Sequence, residues 1–285
     1  ERQNLVIRLT KLPSTSARSL FTPAWKPSQV NSLSLVSGAD ETGVYRSLVS
    51  KGRVDGVIVQ APLTIDARID FLSSLGLPFV VHGRSSSIDS EQYAWLDMDN
   101  RRAFRRATQH LIALGHRRSA LRNGQEEMDF ARRRREGFDA EMTAAGRPID
   151  PELMCSQAMT ETYGFDETMR LLAMDQPPSA ILTSSMLVAM GVRRAADAFG
   201  LKLGRDLSVV THDDGLSYLP NGAPDQPIFT ATHAPIRDAG HIAAKMLLRQ
   251  IEQPHLTPRH TQIEAPLVIG PSSGPVPASA PESGP

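Results

Sequence analysis

Cysteine is nearly absent from this 285-residue chain, with Cys155 its only example. One thiol cannot close an intramolecular disulfide, so a reducing compartment is expected, and the cytoplasm first. Net charge is absent as well: 31 Lys and Arg balance 31 Asp and Glu. That balance removes any whole-chain electrostatic attraction to DNA or to an anionic membrane. Aromatic residues are scarce, at 5%. No apolar run approaches the roughly 18 residues of a membrane span, so no membrane role is expected. The opening Glu1-Arg2-Gln3-Asn4 is polar and unlike a secretory signal. Because no Met precedes it, the expectation is a cut inside a longer product. Walker loops, dinucleotide glycine fingerprints, C-x-x-C and H-E-x-x-H are all missing, so no cofactor is expected.

What is present is ordinary for a folded chain: 40% hydrophobic and 22% charged residues. At about 150 residues per domain the length suggests two folding units. Such a chain buries about three-quarters of its unfolded surface without disulfide or metal staples.

From about residue 40, strand-like and helix-like stretches alternate. Val54 to Val59 reads as a buried strand after a helical stretch near Tyr45. Residues 66–75 read as a short helix stopped by Gly76, and 78–81 as a strand. Asp99 is a plausible N-cap for a helix over 100–114, whose Ala103, Ala107, Leu111 and Leu114 keep helical spacing, with Gly115 as its stop. Further helices are expected over 128–145, 161–174, 185–199 and 238–251, and strands over 180–182, 207–210 and 264–269. Strands separated by helices of this length predict parallel sheets covered on both faces. The stripe Leu187, Met190, Ala195 and Phe199 is expected to be core.

Two regions break the alternation. The tail 271–285 is rich in Pro, Ser and Gly and is expected to be disordered. Residues 10–35 should hold a long amphipathic helix after a strand at Leu5-Val6-Ile7, yet carry Pro13, Pro23 and Pro27 among Ser and Thr. An out-of-register translation or otherwise altered segment is the expectation there.

Several motifs invite chemistry. Gly270-Pro271-Ser272-Ser273-Gly274 spells G-x-S-x-G, but no helix follows it, so a nucleophile elbow is not expected. His212-Asp213-Asp214 at a strand end offers metal ligands or an acid–base pair; the plainer reading is polar side chains lining a ligand crevice. In Arg132-Arg133-Arg134-Arg135, the helix buries Ala131, Phe138 and Met142. At 100° per residue Arg134 and Arg135 flank that face about equally, and spacing alone does not choose between them.

Taken together, Arg53-Val54-Asp55-Gly56-Val57-Ile58-Val59, Leu77-Pro78-Phe79-Val80-Val81, Asp99-Asn100, the run from Ala107 to Arg118, and the stretches 131–138, 180–191, 207–214 and 229–232 resemble the effector-binding core of the LacI/GalR family of bacterial transcription regulators. The resemblance implies a periplasmic-binding-protein-like α/β fold: two Rossmann-like lobes with parallel sheets, joined by three crossovers, with the ligand cleft between lobes. The first lobe would be 1–114 plus 236–259 and the second 115–235 plus 260–270. It also implies a homodimer that meets operator DNA through an N-terminal helix-turn-helix domain outside this chain. The implied effector is a small sugar, with an α-glucoside the expected choice, and the implied role is regulatory and not enzymatic.

The family's effector contact, an Arg three residues before the Gly of an Arg-x-x-Gly-Phe helix, falls on Arg134. Its strand-end carboxylate falls on Asp213. Where the family often has Asn at the start of the next helix, this chain has Ser185, a shorter hydroxyl. Phe130 and Met159 fall at pocket-wall positions, and Asp99, Asn100 and Arg102 lie near the remaining polar wall. Trp95, with Tyr93, offers a ring for stacking on a sugar face. The rivals are a periplasmic sugar-binding protein of a transporter and a metal-assisted hydrolase centred on His212-Asp213-Asp214.

Overall fold

A computed structural model describes residues 4–9, 30–36, 41–52, 54–223 and 225–276, with 4–9, 30–36 and 41–42 as backbone only. In chain order the elements are β1 (Asn4–Leu9), β2 (Val30–Val36), α1 (Glu41–Ser50), β3 (Gly56–Gln60), α2 (Ala67–Ser74), β4 (Phe79–His82), β5 (Ala94–Met98) and α3 (Asn100–Ala113). There follow β6 (Ser119–Asn123), α4 (Asp129–Ala144), β7 (Met154–Ser156), α5 (Glu161–Leu172), β8 (Ala180–Thr183), α6 (Met186–Ala198) and β9 (Ser208–Asp213). The last are β10 (Gly222–Ala223), β11 (Gln226–Pro227), β12 (Thr230–His233), α7 (Ile236–Glu252), β13 (His260–Ile263) and β14 (Leu267–Val268).

The chain forms two α/β units. One ends at Leu96 and resumes over Gly240–Thr261; the other comprises Asp97–Ala239 and resumes at Gln262. The divisions expected at residues 114, 235 and 259 therefore fall elsewhere. The largest difference is α3, expected in the first lobe, which belongs to the second unit. Its Ala103, Phe104, Ala107 and Leu111 pack with Leu121, Phe138, Met142 and Leu182, so its apolar face is spent there.

In the first unit the sheet order is β13-β5-β4-β3-β1-β2. Strands β3, β4 and β5 are parallel. Their Val57, Val59, Val81 and Trp95 form a core with Tyr45, Ile69 and Leu72 of α1 and α2. The opposite face receives α7: a Cβ added at Gly56 would lie 2.8 Å from Leu247 Cδ1. Burial on both faces explains the near-continuous apolar run of β3. Strand β1 departs from the parallel expectation, running antiparallel to both β2 and β3. An antiparallel neighbour needs no crossover helix, and so none of the helical pattern that the sequence lacks there. Residues 10–29, on which most of the altered-segment expectation falls, lie outside the described residues.

The second unit's sheet runs β14-β12-β9-β8-β6-β7, parallel except at its β14 edge. One face is covered by α3 and α4, the other by α5 and α6. Glycines let the helix pairs approach: a Cβ at Gly137 of α4 would sit 2.3 Å from the Arg101 carbonyl oxygen of α3. A Cβ at Gly191 of α6 would sit 2.1 Å from the Glu161 carbonyl oxygen of α5. The α6 stripe is not the expected one. Leu187 and Phe199 are 37% and 43% exposed, while Met186, Val188, Ala189, Val192 and Ala196 are buried with Ala195. The register is turned by about one residue.

The tail expectation also needs correction. Residues 271–276 are ordered, and only 277–285 lie outside the described residues. What holds the segment is polar. Ser272 Oγ donates to the Val209 carbonyl (2.6 Å) and accepts from Thr230 N (2.9 Å). Ser273 Oγ bonds His110 Nε2 at 2.9 Å, and Gly274 N donates to Ser208 Oγ at 3.0 Å. His116, fully buried, spans Ser179, Ser208 and the Gly274 carbonyl. The Ser272 of the G-x-S-x-G string is thus a buried clasp.

Candidate functional site

In the second unit the chain leaves β6 through α4 toward β7 and returns through α5 to β8 on the other side of β6. Such a reversal opens a crevice at the carboxyl ends of β6 and β8, where ligands of open α/β sheets bind. Here the ends carry Asn123 and, one residue past β8, Ser184, both fully buried. Ser184 Oγ donates to Asn123 Oδ1 at 2.6 Å. Asn123 Nδ2 donates to the Ala131 carbonyl at 2.8 Å and to Glu126 Oε1 at 3.1 Å. These bonds fasten the first turn of α4 to the strand ends.

That anchoring aims Arg134 into the crevice. The side chain is only 4% exposed. Its Nε donates to Asn100 Oδ1 (2.8 Å) and its Nη1 to the Ser184 carbonyl (2.6 Å). The Phe104 and Phe130 rings lie 5.2 and 4.8 Å from its guanidinium carbon. Asn100 is in turn held by Asp97 Oδ1 (3.3 Å) and the Met98 carbonyl (3.1 Å). Burial pushes the Arg134 pKa down to about 10, with Asp214 and Asp97 opposing the shift, so it remains a cation at neutral pH. Among the described residues Nη2 carries no hydrogen bond and Nη1 only one, which leaves three N–H donors for a ligand. The neighbouring Arg135 turns to Asp139 (2.8 and 2.9 Å), which resolves the ambiguity of spacing in favour of Arg134.

At the end of β9, next to β8, Asp213 is 5% exposed. Its Oδ1 accepts from Gly215 N (2.8 Å) and its Oδ2 lies 2.9 Å from His233 Nδ1. His212 points elsewhere, to Thr232 Oγ1 (2.9 Å) and Asp214 Oδ1 (3.1 Å). Burial, then the Arg134 charge, holds its pKa below the usual histidine value. Asp213 thus turns to Gly215 and His233, while His212 and Asp214 pair with each other. Among the described residues no group of three or more His, Cys, Asp or Glu side chains is placed to hold a metal ion.

The rim over β6 and β7 is part apolar and part acidic. A Cβ added at Gly124 would meet Met159 Sδ and the Phe130 ring at 3.4 Å, so those two side chains pack over its buried backbone. Ser156 Oγ, at the end of β7, donates to Glu126 Oε1 at 2.6 Å.

Of the residues expected from the sequence, Arg134, Asn100 and Phe130 meet directly, and Met159 reaches the group across Gly124. Ser185 and Asp213 stand at the adjoining strand ends, and Ser185 also caps α6 by accepting from Val188 N at 3.4 Å. Three do not join. Asp99 is occupied as the α3 N-cap, bonding Arg102 N at 3.0 Å. Arg102 is 57% exposed and pairs with Glu264 at 2.7 Å, because its position on α3 points to solvent. Trp95 belongs to the first unit, where its ring is 7% exposed, stacked on His260 at 5.1 Å and covered by Arg84 at 4.6 Å; packing has used the face a sugar would need. Sequence reasoning missed Asn123, Glu126, Ser184 and His233. Asn123 ends, and Glu126 follows, a strand, Ser119–Asn123, whose Arg and Asn hide the apolar signal.

Residues 108–273 match the family of periplasmic binding protein-like domains. The chain is similar to the HTH-type transcriptional regulator AglR of Rhizobium meliloti (strain 1021), with 38% identity over 242 residues, 85% of this chain and 67% of that protein. It is similar to the HTH-type transcriptional regulator CelR of Thermobifida fusca, with 29% identity over 216 residues, 76% of this chain and 62% of that protein. It also superposes on the solved transcriptional regulator CelR–cellobiose complex with a TM-score of 0.73 at 27% identity, covering 82% of this chain and 71% of that one. The chain thus spans about two thirds of the length of these curated relatives.

Proposed function

Since the chain belongs to the family of periplasmic binding protein-like domains, in the branch of LacI-type regulators, we propose that it is the effector-sensing core of a sugar-responsive transcription regulator. The observation that carries this reading is Arg134: a buried cation fixed through two N–H donors and holding three more in reserve, at the switch point of a parallel sheet. Sugar hydroxyls both donate and accept, so a forked donor beside the Asp213 carboxylate suits a polyol. Each hydrogen bond nets only about 0.5–1.5 kcal/mol, so several must act together. A relative's cellobiose complex supports the ligand class. An α-glucoside is the first sugar to try.

In this reading, DNA is met by a helix-turn-helix segment outside these residues, in a cytoplasmic homodimer that performs no catalysis. The relatives are helix-turn-helix regulators, which favours this reading over a transporter's binding protein of the same fold. A melting-temperature screen against mono- and disaccharides tests it. A sugar at 100 times its Kd stabilises by about 2.7 kcal/mol. Arg134→Gln and Asp213→Asn are expected to lose that shift while remaining folded. A shift retained in both variants, or no shift with any sugar, refutes the proposal.

A further inference from the structure

Glu126 lies in the loop between β6 and α4, and its two carboxylate oxygens have different surroundings. Oε1 accepts from Ser156 Oγ (2.6 Å) and Asn123 Nδ2 (3.1 Å), and lies 3.6 Å from Arg135 Nη1. Oε2 has no hydrogen bond among the described residues, and the side chain is 34% exposed. The carboxylate is therefore immobilised through one oxygen and presents the other. Beside it, Phe130 and Met159 pack over the buried backbone of Gly124. A fixed acceptor next to a small apolar wall matches one face of a sugar: C–H groups against the wall and a hydroxyl at its margin.

We propose that Glu126 is a specificity-determining residue that accepts a hydrogen bond from one hydroxyl of the sugar, so that sugars lacking that hydroxyl bind more weakly. The proposal rests on the sugar-binding reading above. An ionised carboxylate only accepts, so it pairs with a hydroxyl and leaves a deoxy or O-methyl position unsatisfied. In a closed site such a mismatch costs about 10⁴-fold or more. At a rim that water reaches, the expected discrimination is about 10-fold.

Glu126→Gln separates recognition from support. The amide oxygen still accepts from Ser156 and Asn123, while Nε2 replaces the free oxygen by a donor. Titration calorimetry with glucose, maltose, sucrose and cellobiose, then with monodeoxy and mono-O-methyl derivatives of the tightest binder, provides the readout. Glu126→Gln is expected to melt at the wild-type temperature without sugar and to bind the tightest sugar about 10-fold more weakly. One monodeoxy derivative should bind both proteins equally. If Glu126→Gln keeps the wild-type rank order and affinities, or weakens every derivative by the same factor, Glu126 is not a specificity residue. If the wild-type protein binds no sugar at all, the underlying reading fails instead.

Discussion

Replacing Gly137 by Ala adds one methyl group where the helices α3 and α4 touch. The new Cβ would lie 2.3 Å from the Arg101 carbonyl oxygen, about 1 Å inside ordinary van der Waals contact. The next nearest atoms, Arg101 C at 3.1 Å and Arg105 N at 3.2 Å, are also backbone, so no side chain can swing aside. The helices must separate, and a clash with three backbone atoms lies at the upper end of overpacking costs, about 2–3 kcal/mol. Ala recovers about 1 kcal/mol through its helix propensity. The net loss of about 1–2 kcal/mol lowers the melting temperature by roughly 2–8 °C at about 2–4 °C per kcal/mol. Arg134 rides on the same helix one turn earlier, so its 2.8 Å bond to Asn100 is stretched as well. Losing a hydrogen bond to a charged group costs about 1.5–3 kcal/mol, and sugar affinity should drop about 10-fold. Gly240→Ala is the control. Gly240 lies inside α7 with nothing within 4 Å of an added Cβ, so Ala should stabilise by about 0.5–1 kcal/mol. Calorimetric melting of both variants decides. Gly137→Ala melting at or above wild type, while Gly240→Ala gains as stated, refutes the reasoning.

Acid should weaken the fold through its histidines. Burial holds the pKa of His110, His116 and His212 below the usual value of 6.5. The unfolded chain therefore binds more protons, and stability falls as pH drops below about 6.5 toward the lower folded-state values. Urea titrations from pH 8 to 5 should show this, and His116→Gln should flatten the slope; an unchanged slope refutes the assignment. Ser272→Ala strands the fully buried Thr230 N–H and should cost about 1–3 kcal/mol by urea unfolding. A loss below about 0.5 kcal/mol would mean that the clasp contributes little.

The legible parts of this chain were those with an uninterrupted signal. Ala103, Ala107 and Leu111 announce α3, and Asp99 caps it as its side chain predicts. Strand β6 was illegible because Arg122 and Asn123 occupy buried positions; Arg122 satisfies part of its need through the Leu121 and Leu153 carbonyls. The ordered tail was illegible for a related reason: backbone and hydroxyl hydrogen bonds hold it, and these leave no apolar pattern. At the site, Arg134 required the family resemblance, since Arg135 has equal claim by spacing. Ser184 was hidden because its main contribution is a carbonyl oxygen, which every residue possesses. Trp95 misled because an aromatic side chain advertises a flat surface without telling whether another ring already covers it.

The three exchanges of chain between the units bear on how the molecule is made. Residues 97–235 leave the ribosome before α7, whose Leu247 packs at Gly56 in the first unit. Domains usually fold in the order in which they are synthesised. Here the earlier unit must wait for its closing helix, so the later one has most of its sheet available first. A nascent chain halted near residue 235 would present β3 with one apolar face still bare.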